Sequence, residues 1–193
     1  MPEGLLDIPK QFETERLALR SYEAGDGAWY YAAGQKNRAH LLRYEADNVL
    51  LAARSAEEAE KIVQELAADW EARRCFFLGV FKKATGQWVG QVYVGPVNRD
   101  LPEFALGYVV DRDHEGQGIA SEALRAALRF AFVHLGAHRV SVECDDTNTR
   151  SARVAERCGL VREAHFRENK RHADGTISGT LHYGLLRSEF EAV

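Results

Sequence analysis

Residues 106–135 constrain the fold most, because an apolar strand, a glycine-bearing loop and a long amphipathic helix follow without a break: LGYVV, DRDHEGQGIA, SEALRAALRFAFVHL. Ala120, Ala123, Leu124, Ala127, Leu128, Ala131 and Leu135 recur at helical spacing, while Glu122, Arg125 and Arg129 fall on the other face. A loop at such a junction meets the first unpaired helical N–H groups and the positive end of the helix dipole. Gly116 and Gly118 carry no Cβ, so a phosphate can approach the main chain of residues 115–121 closely. Two other readings of the loop stand beside this one. Paired glycines between a strand and a helix also make a plain tight turn. Gly116-x-Gly118 also opens a dinucleotide fingerprint, but Ser121 stands at the third glycine, and Glu143 or Asp145 would have to serve as the downstream acid. A nucleoside-triphosphate loop is excluded, because no Gly-x-x-x-x-Gly-Lys-Ser/Thr occurs.

With 193 residues, one domain spanning 1–193 is expected, its core at about 12–190. A hydrophobic share of 46% against 28% charged residues argues against wholesale disorder. The net charge of −4 argues against a surface built for nucleic acid, leaving only the basic run Arg167–His172, read as a solvated turn. Cys75, Cys144 and Cys158 are odd in number and scattered, so no disulfide framework is expected. The opening residues lack a basic and apolar leader, and no apolar run approaches the length of a membrane span, so a cytoplasmic protein is expected. No metal site is expected: Gly136 breaks the helix between His134 and His138.

Taken in order, residues 15–22 read as a strand, 24–44 as one or two helical pieces interrupted by Gly34, and 55–74 as a helix. In that last helix Ser55 caps, and Ala59, Ile62, Val63, Leu66 and Trp70 form the apolar stripe. Residues 75–82, 88–94 and 101–110 read as an antiparallel meander. The helix beginning at Gly116 returns the chain to a parallel strand at 139–144. A short helix at 148–158 ends in Gly159, and strands at 161–168 and 176–186 flank a turn at Ala173-Asp174-Gly175.

Glu115-Gly116-Gln117-Gly118-Ile119-Ala120 resembles the acetyl-CoA loop Arg/Gln-x-x-Gly-x-Gly/Ala of the GNAT N-acetyltransferases, with Glu115 where Arg or Gln is usual. Thr14–Arg20 is similar to that family's opening strand, Asn148–Arg153 with Cys158-Gly159-Leu160 to its later helix and exit, and His182–Leu186 to its closing strand. The set resembles the RimJ/RimL-like branch of ribosomal-protein N-acetyltransferases. The resemblance implies an α/β (α+β) fold: a mixed, mostly antiparallel sheet of about seven strands, splayed at the cofactor site and flanked by about four helices. It implies acetyl-CoA as cosubstrate and direct attack by a primary amine, first of all a protein N-terminal amine. A small amine (a polyamine or aminoglycoside) is the alternative acceptor, and a non-catalytic acyl-CoA-binding regulatory domain the alternative class. A homodimer follows by analogy alone.

The resemblance also distributes roles. Main-chain groups of Tyr108, Val109 and Val110 would hold the pantetheine arm and polarise the thioester carbonyl. Glu115, Gly116, Gln117, Gly118, Ile119, Ala120 and Ser121 would hold the diphosphate, Asn148 the pantetheine and Arg153 a phosphate. Ser151 would protonate the departing thiolate. For the base, many relatives carry Glu where Ala105 stands, so the candidates are Glu103, two residues further back on the same strand face, and Glu168; Tyr183 and His182 stand behind them. No cysteine carries the signature of an acyl-enzyme nucleophile.

Overall fold

The computed structural model describes residues 8–172 and 174–190; Ala173 of the expected turn lies outside them. In chain order the elements are β1 (Gln11–Glu13), β2 (Leu17–Ser21), α1 (Gly27–Leu41), α2 (Ala56–Glu71), β3 (Phe76–Lys82), β4 (Trp88–Asn98) and β5 (Glu103–Val110). There follow α3 (Ile119–Arg129), β6 (Arg139–Asp145), α4 (Thr149–Arg157), β7 (Val161–Arg171), β8 (Ile177–Leu186) and the one-turn α5 (Arg187–Phe190). Among the described residues eight strands form a mixed sheet in the order β1-β2-β3-β4-β5-β6-β8-β7. The strand beyond the expected seven is β1, whose three residues are too few to show a period.

The chain packs as two compact units, one of residues 10–93 and 109–119, the other of 8–9, 94–108 and 120–190 within the described range. In the first, β1, β2 and β3 pair antiparallel, with Phe12 opposite Leu19 and Leu19 opposite Val80. Ser55 Oγ accepts from the Glu58 N–H at 3.2 Å and starts α2 as its sequence requires. The stripe then buries Ala59, Val63 and Leu66 with Tyr22, Tyr30 and Leu50, while Trp70 packs edge-on against Phe76 at 5.0 Å between ring centroids. Tyr30 and Trp70 are thus core.

In the second unit β5 and β6 run parallel, as the helical crossover demands. On α3 and its continuation, Ala123, Leu124, Ala127, Leu128 and Ala131 are fully or nearly fully buried, and so are Val140 and Val142 of β6. Here the boundaries differ from the sequence reading in three ways. Strand β7 runs on to Arg171, through most of the basic run read as a solvated turn. The helix begins at Ile119 rather than Gly116, because Gly116 and Gly118 hold φ of +74° and +79°, outside right-handed helix. Past Arg129 the coil widens to a π-helix over Phe130–His134, closed by the Leu135 N–H on the Phe130 carbonyl at 3.2 Å. An apolar stripe reports a buried face but not this change of hydrogen bonding. Strand β7 is exposed over most of its length and lies at the sheet edge.

Candidate active site

The loop ahead of α3 takes positive φ twice, at Gly116 and Gly118, a backbone that glycine adopts without steric cost. A Cβ added at Gly116 would meet nothing within 4 Å, and one at Gly118 would lie 3.4 Å from Arg16 Nη2. Arg16 Nη1 donates to the Gln117 carbonyl at 3.1 Å, and Lys82 Nζ to Gln117 Oε1 at 3.4 Å. The loop is therefore bare on its outer side and flanked by two cations, an arrangement that suits an anionic diphosphate. Glu115, the departure from the family pattern, faces His40 at 3.3 Å. Ile119 is buried, Ala120 half-buried and Ser121 buried.

Sequence reasoning missed Arg16. It lies 101 positions from its loop partner, and its only signal was its place at the start of the first family-like segment. Arg16→Ala is expected to weaken acetyl-CoA binding about tenfold, or about 1.4 kcal/mol, with the fold unchanged. Isothermal titration of both proteins checks this, and equal affinities would remove Arg16 from phosphate binding.

Asp111 anchors the loop from behind. Its carboxylate takes Lys36 Nζ at 2.8 Å and Asn37 Nδ2 at 3.1 Å, and Asn37 Oδ1 accepts the Arg112 N–H. Burial pushes the Asp111 carboxyl up, but these hydrogen bonds and those from Asp113 and His114 outweigh it and hold it at about 2. Its pKa is thus depressed on folding. The stabilisation is full above the unfolded value near 3.9 and is lost as pH falls toward 2. Asp111→Asn should therefore cost about 2–3 kcal/mol at pH 7 and close most of its gap to the parent near pH 2. Urea midpoints at the two pH values measure it.

The second array lies at the end of the β5–β6 ladder. Pairing runs from Glu103–Arg139 to Leu106–Val142 and stops, although β5 continues to Val110 and β6 to Asp145. Beyond that rung β6 still pairs with β8, so the strands part on the β5 side alone. Tyr108 projects there, and its hydroxyl lies 2.9 Å from both the carbonyl and Oγ of Ser151. Ser151 is the third residue of α4, and its N–H is capped by Asn148 Oδ1 at 3.2 Å. The Asn148 oxygen thus works as a helix cap, and Arg153 lies exposed on α4. Sequence reading gave Tyr108 a main-chain role only; its phenol on Ser151 is a contact across 43 positions.

Cys144 is the β6 residue of this array. Burial pushes its thiol up to about 11, with a hydrogen bond to Ser151 pulling partly the other way. Burial also raises Cys75, to about 11, and Cys158. All three are thiols at neutral pH, which disfavours an acyl-enzyme.

The two carboxylates proposed as base from sequence are placed elsewhere. Glu103 opens β5, about 16 Å along the strand from Tyr108 at about 3.3 Å per residue, and accepts Arg139 Nε at 3.1 Å. Glu168 is exposed, with φ +55°, in the bulge between Phe166 and Lys170 on the edge strand. Neither belongs to the Tyr108–Ser151 array. Near the β6 end, His172 Nε2 meets both Ser178 Oγ at 2.7 Å and Asp145 Oδ2 at 3.0 Å. One nitrogen serves both partners, so this Ser-His-Asp group ties strands together and cannot relay a proton.

Across residues 16–161 the sequence matches the model of the acetyltransferase (GNAT) domain family. A spermidine N(1)-acetyltransferase of Vibrio cholerae is 24% identical over 153 residues, 79% of this chain and 83% of that protein. Two solved structures share the fold. The ribosomal-protein-S5-alanine acetyltransferase of Vibrio fischeri aligns at a TM-score of 0.81 with 20% identity, covering 92% of this chain and 96% of that one. A ribosomal L7/L12 alpha-N-protein acetyltransferase, RimL, solved with coenzyme A, aligns at 0.80 with 21% identity, covering 93% and 97%. Among the described residues no helix is long and apolar enough to cross a membrane.

Proposed function

The chain belongs to the GNAT acetyltransferase family, and on that premise we propose that it acetylates the N-terminal amine of a protein. It is an acetyl-CoA-dependent N-acetyltransferase, and acetyl-CoA supplies an activated acetyl thioester. The observation that carries the site assignment is the parting of β5 from β6 beyond Leu106–Val142, with Tyr108 and Ser151 at the opening. Main-chain groups of β5 beyond Leu106, where the pairing with β6 has ended, polarise the carbonyl. Ser151 gives a proton to the departing sulfur, and the Tyr108 phenol holds its hydroxyl in place. Gly116–Ser121 and Arg16 hold the diphosphate.

Support for a protein acceptor comes from the two fold neighbours named for ribosomal-protein substrates. The spermidine acetyltransferase supports a small polyamine as the second reading. An acceptor screen separates them by thiol release from acetyl-CoA. Peptides with free alanine or serine N-termini should react with kcat/KM at least about tenfold above spermidine and aminoglycosides, and the reverse order would favour the second reading.

A further inference from the structure

We propose that His182, oriented by Glu143, is the general base that takes the acceptor's proton. This rests on the acetyl-transfer reading of the strand opening and supplies the group that reading leaves unassigned. Alternation along the strands divides the sheet's two faces here. On one, Tyr183 reaches Glu156 of α4 at 3.1 Å, and Cys144 and Tyr108 reach Ser151. This is the face that receives the leaving sulfur. The neighbouring residues His182 and Glu143 point to the other face, opposite each other in register, with Nδ1 and Oε1 3.2 Å apart.

Three features make this pair suitable. Glu143 is the first β6 residue beyond the last β5–β6 rung, so the pair stands at the opening itself. His182 is about one strand spacing, roughly 4.8 Å, further on, within reach of an amine directly or through one water. The positions beside it on that face are small, Ala105 and Gly107 on β5 with Ser141 on β6, which leaves room over the sheet for an incoming group. The Phe166 ring lies edge-on to His182, with centroids 4.6 Å apart. With Nδ1–H donated to Glu143, Nε2 carries the lone pair. The charged groups facing His182 are Glu143 from β6 and Glu163 from β7, the latter held by Arg139.

In the step assigned, an ammonium acceptor gives one proton to Nε2, and its freed lone pair attacks the thioester carbon. The C–N bond forms and the C–S bond breaks. The sulfur takes the Ser151 proton, the second proton lost by the new amide nitrogen restores the Ser151 hydroxyl, and the imidazolium releases its proton to water. No oxidant or further reactant is required.

The test compares the parent, His182→Gln and Glu143→Gln as full chains, with acetyl-CoA and two probe acceptors, an alanine-terminated peptide and spermidine. His182→Gln should lower kcat about 100-fold and leave acetyl-CoA affinity unchanged. Glu143→Gln, at a largely exposed position, should lower kcat without raising KM. A purely structural role would not confine the loss to kcat. Parental turnover with His182→Gln unchanged in rate overturns this proposal alone. A parent that transfers acetyl to neither probe overturns the acetyl-transfer reading and the proposal with it.

Discussion

Gly118→Glu is expected to raise the acetyl-CoA Kd at least about 100-fold, a loss of about 2.7 kcal/mol or more, while the protein stays folded. Residue 118 is exposed, so the new side chain meets no core. The left-handed φ of +79° costs about 1–2 kcal/mol in any residue with a Cβ, a stability loss most domains tolerate. The binding loss is larger because two effects add. The Cβ lies 3.4 Å from Arg16 Nη2, so the new carboxylate can pair with the guanidinium in the place of a phosphate oxygen. It also puts negative charge at the start of α3, where the cofactor's own charge is favoured. Gly118→Ala separates the contributions, since it adds the Cβ and the backbone cost without the charge, and it should lose much less. Titration calorimetry on both variants gives the comparison. Undiminished affinity in Gly118→Glu would place the diphosphate elsewhere.

Ser151→Ala is expected to lower kcat by about 10- to 100-fold with acetyl-CoA affinity nearly unchanged. The helix start survives, because the cap at position 151 uses the main-chain N–H and the Asn148 side chain, not the hydroxyl. What is lost is the Oγ that Tyr108 holds at 2.9 Å. Tyr108→Phe should lose less, since it removes the group that positions the hydroxyl and leaves the hydroxyl itself. Single-turnover release of free thiol, measured beside equilibrium binding, distinguishes a chemical from a binding defect. A Ser151→Ala enzyme with parental kcat would take the serine out of proton transfer.

What the sequence disclosed depended on whether an interaction was local. The Ser55 cap, the α2 stripe, the glycine loop and the parallel crossover to β6 all have periods or spacings within some thirty residues, and all appear in the structure. Short β1 and the π-helical turn at Phe130–His134 left no such pattern. The residues that complete the candidate site are set by long-range contacts: Arg16 on Gln117, Tyr108 on Ser151, Glu143 beside His182. Glu103 shows the same limit. Face and spacing along one strand say nothing of Arg139, which lies opposite it in register and donates to it at the far end of the ladder. A strand's partner, which a single sequence does not name, decides which charge a carboxylate faces.

The most direct test of the central assignment is a ¹⁵N–¹H titration of the labelled protein with acetyl-CoA. Amide signals of residues 116–121 should shift progressively and saturate at micromolar concentrations, with those of Tyr108 and Ser151 moving in step. Shifts absent from 116–121 at millimolar acetyl-CoA, or confined to other residues, would contradict a cofactor held by these main-chain amides.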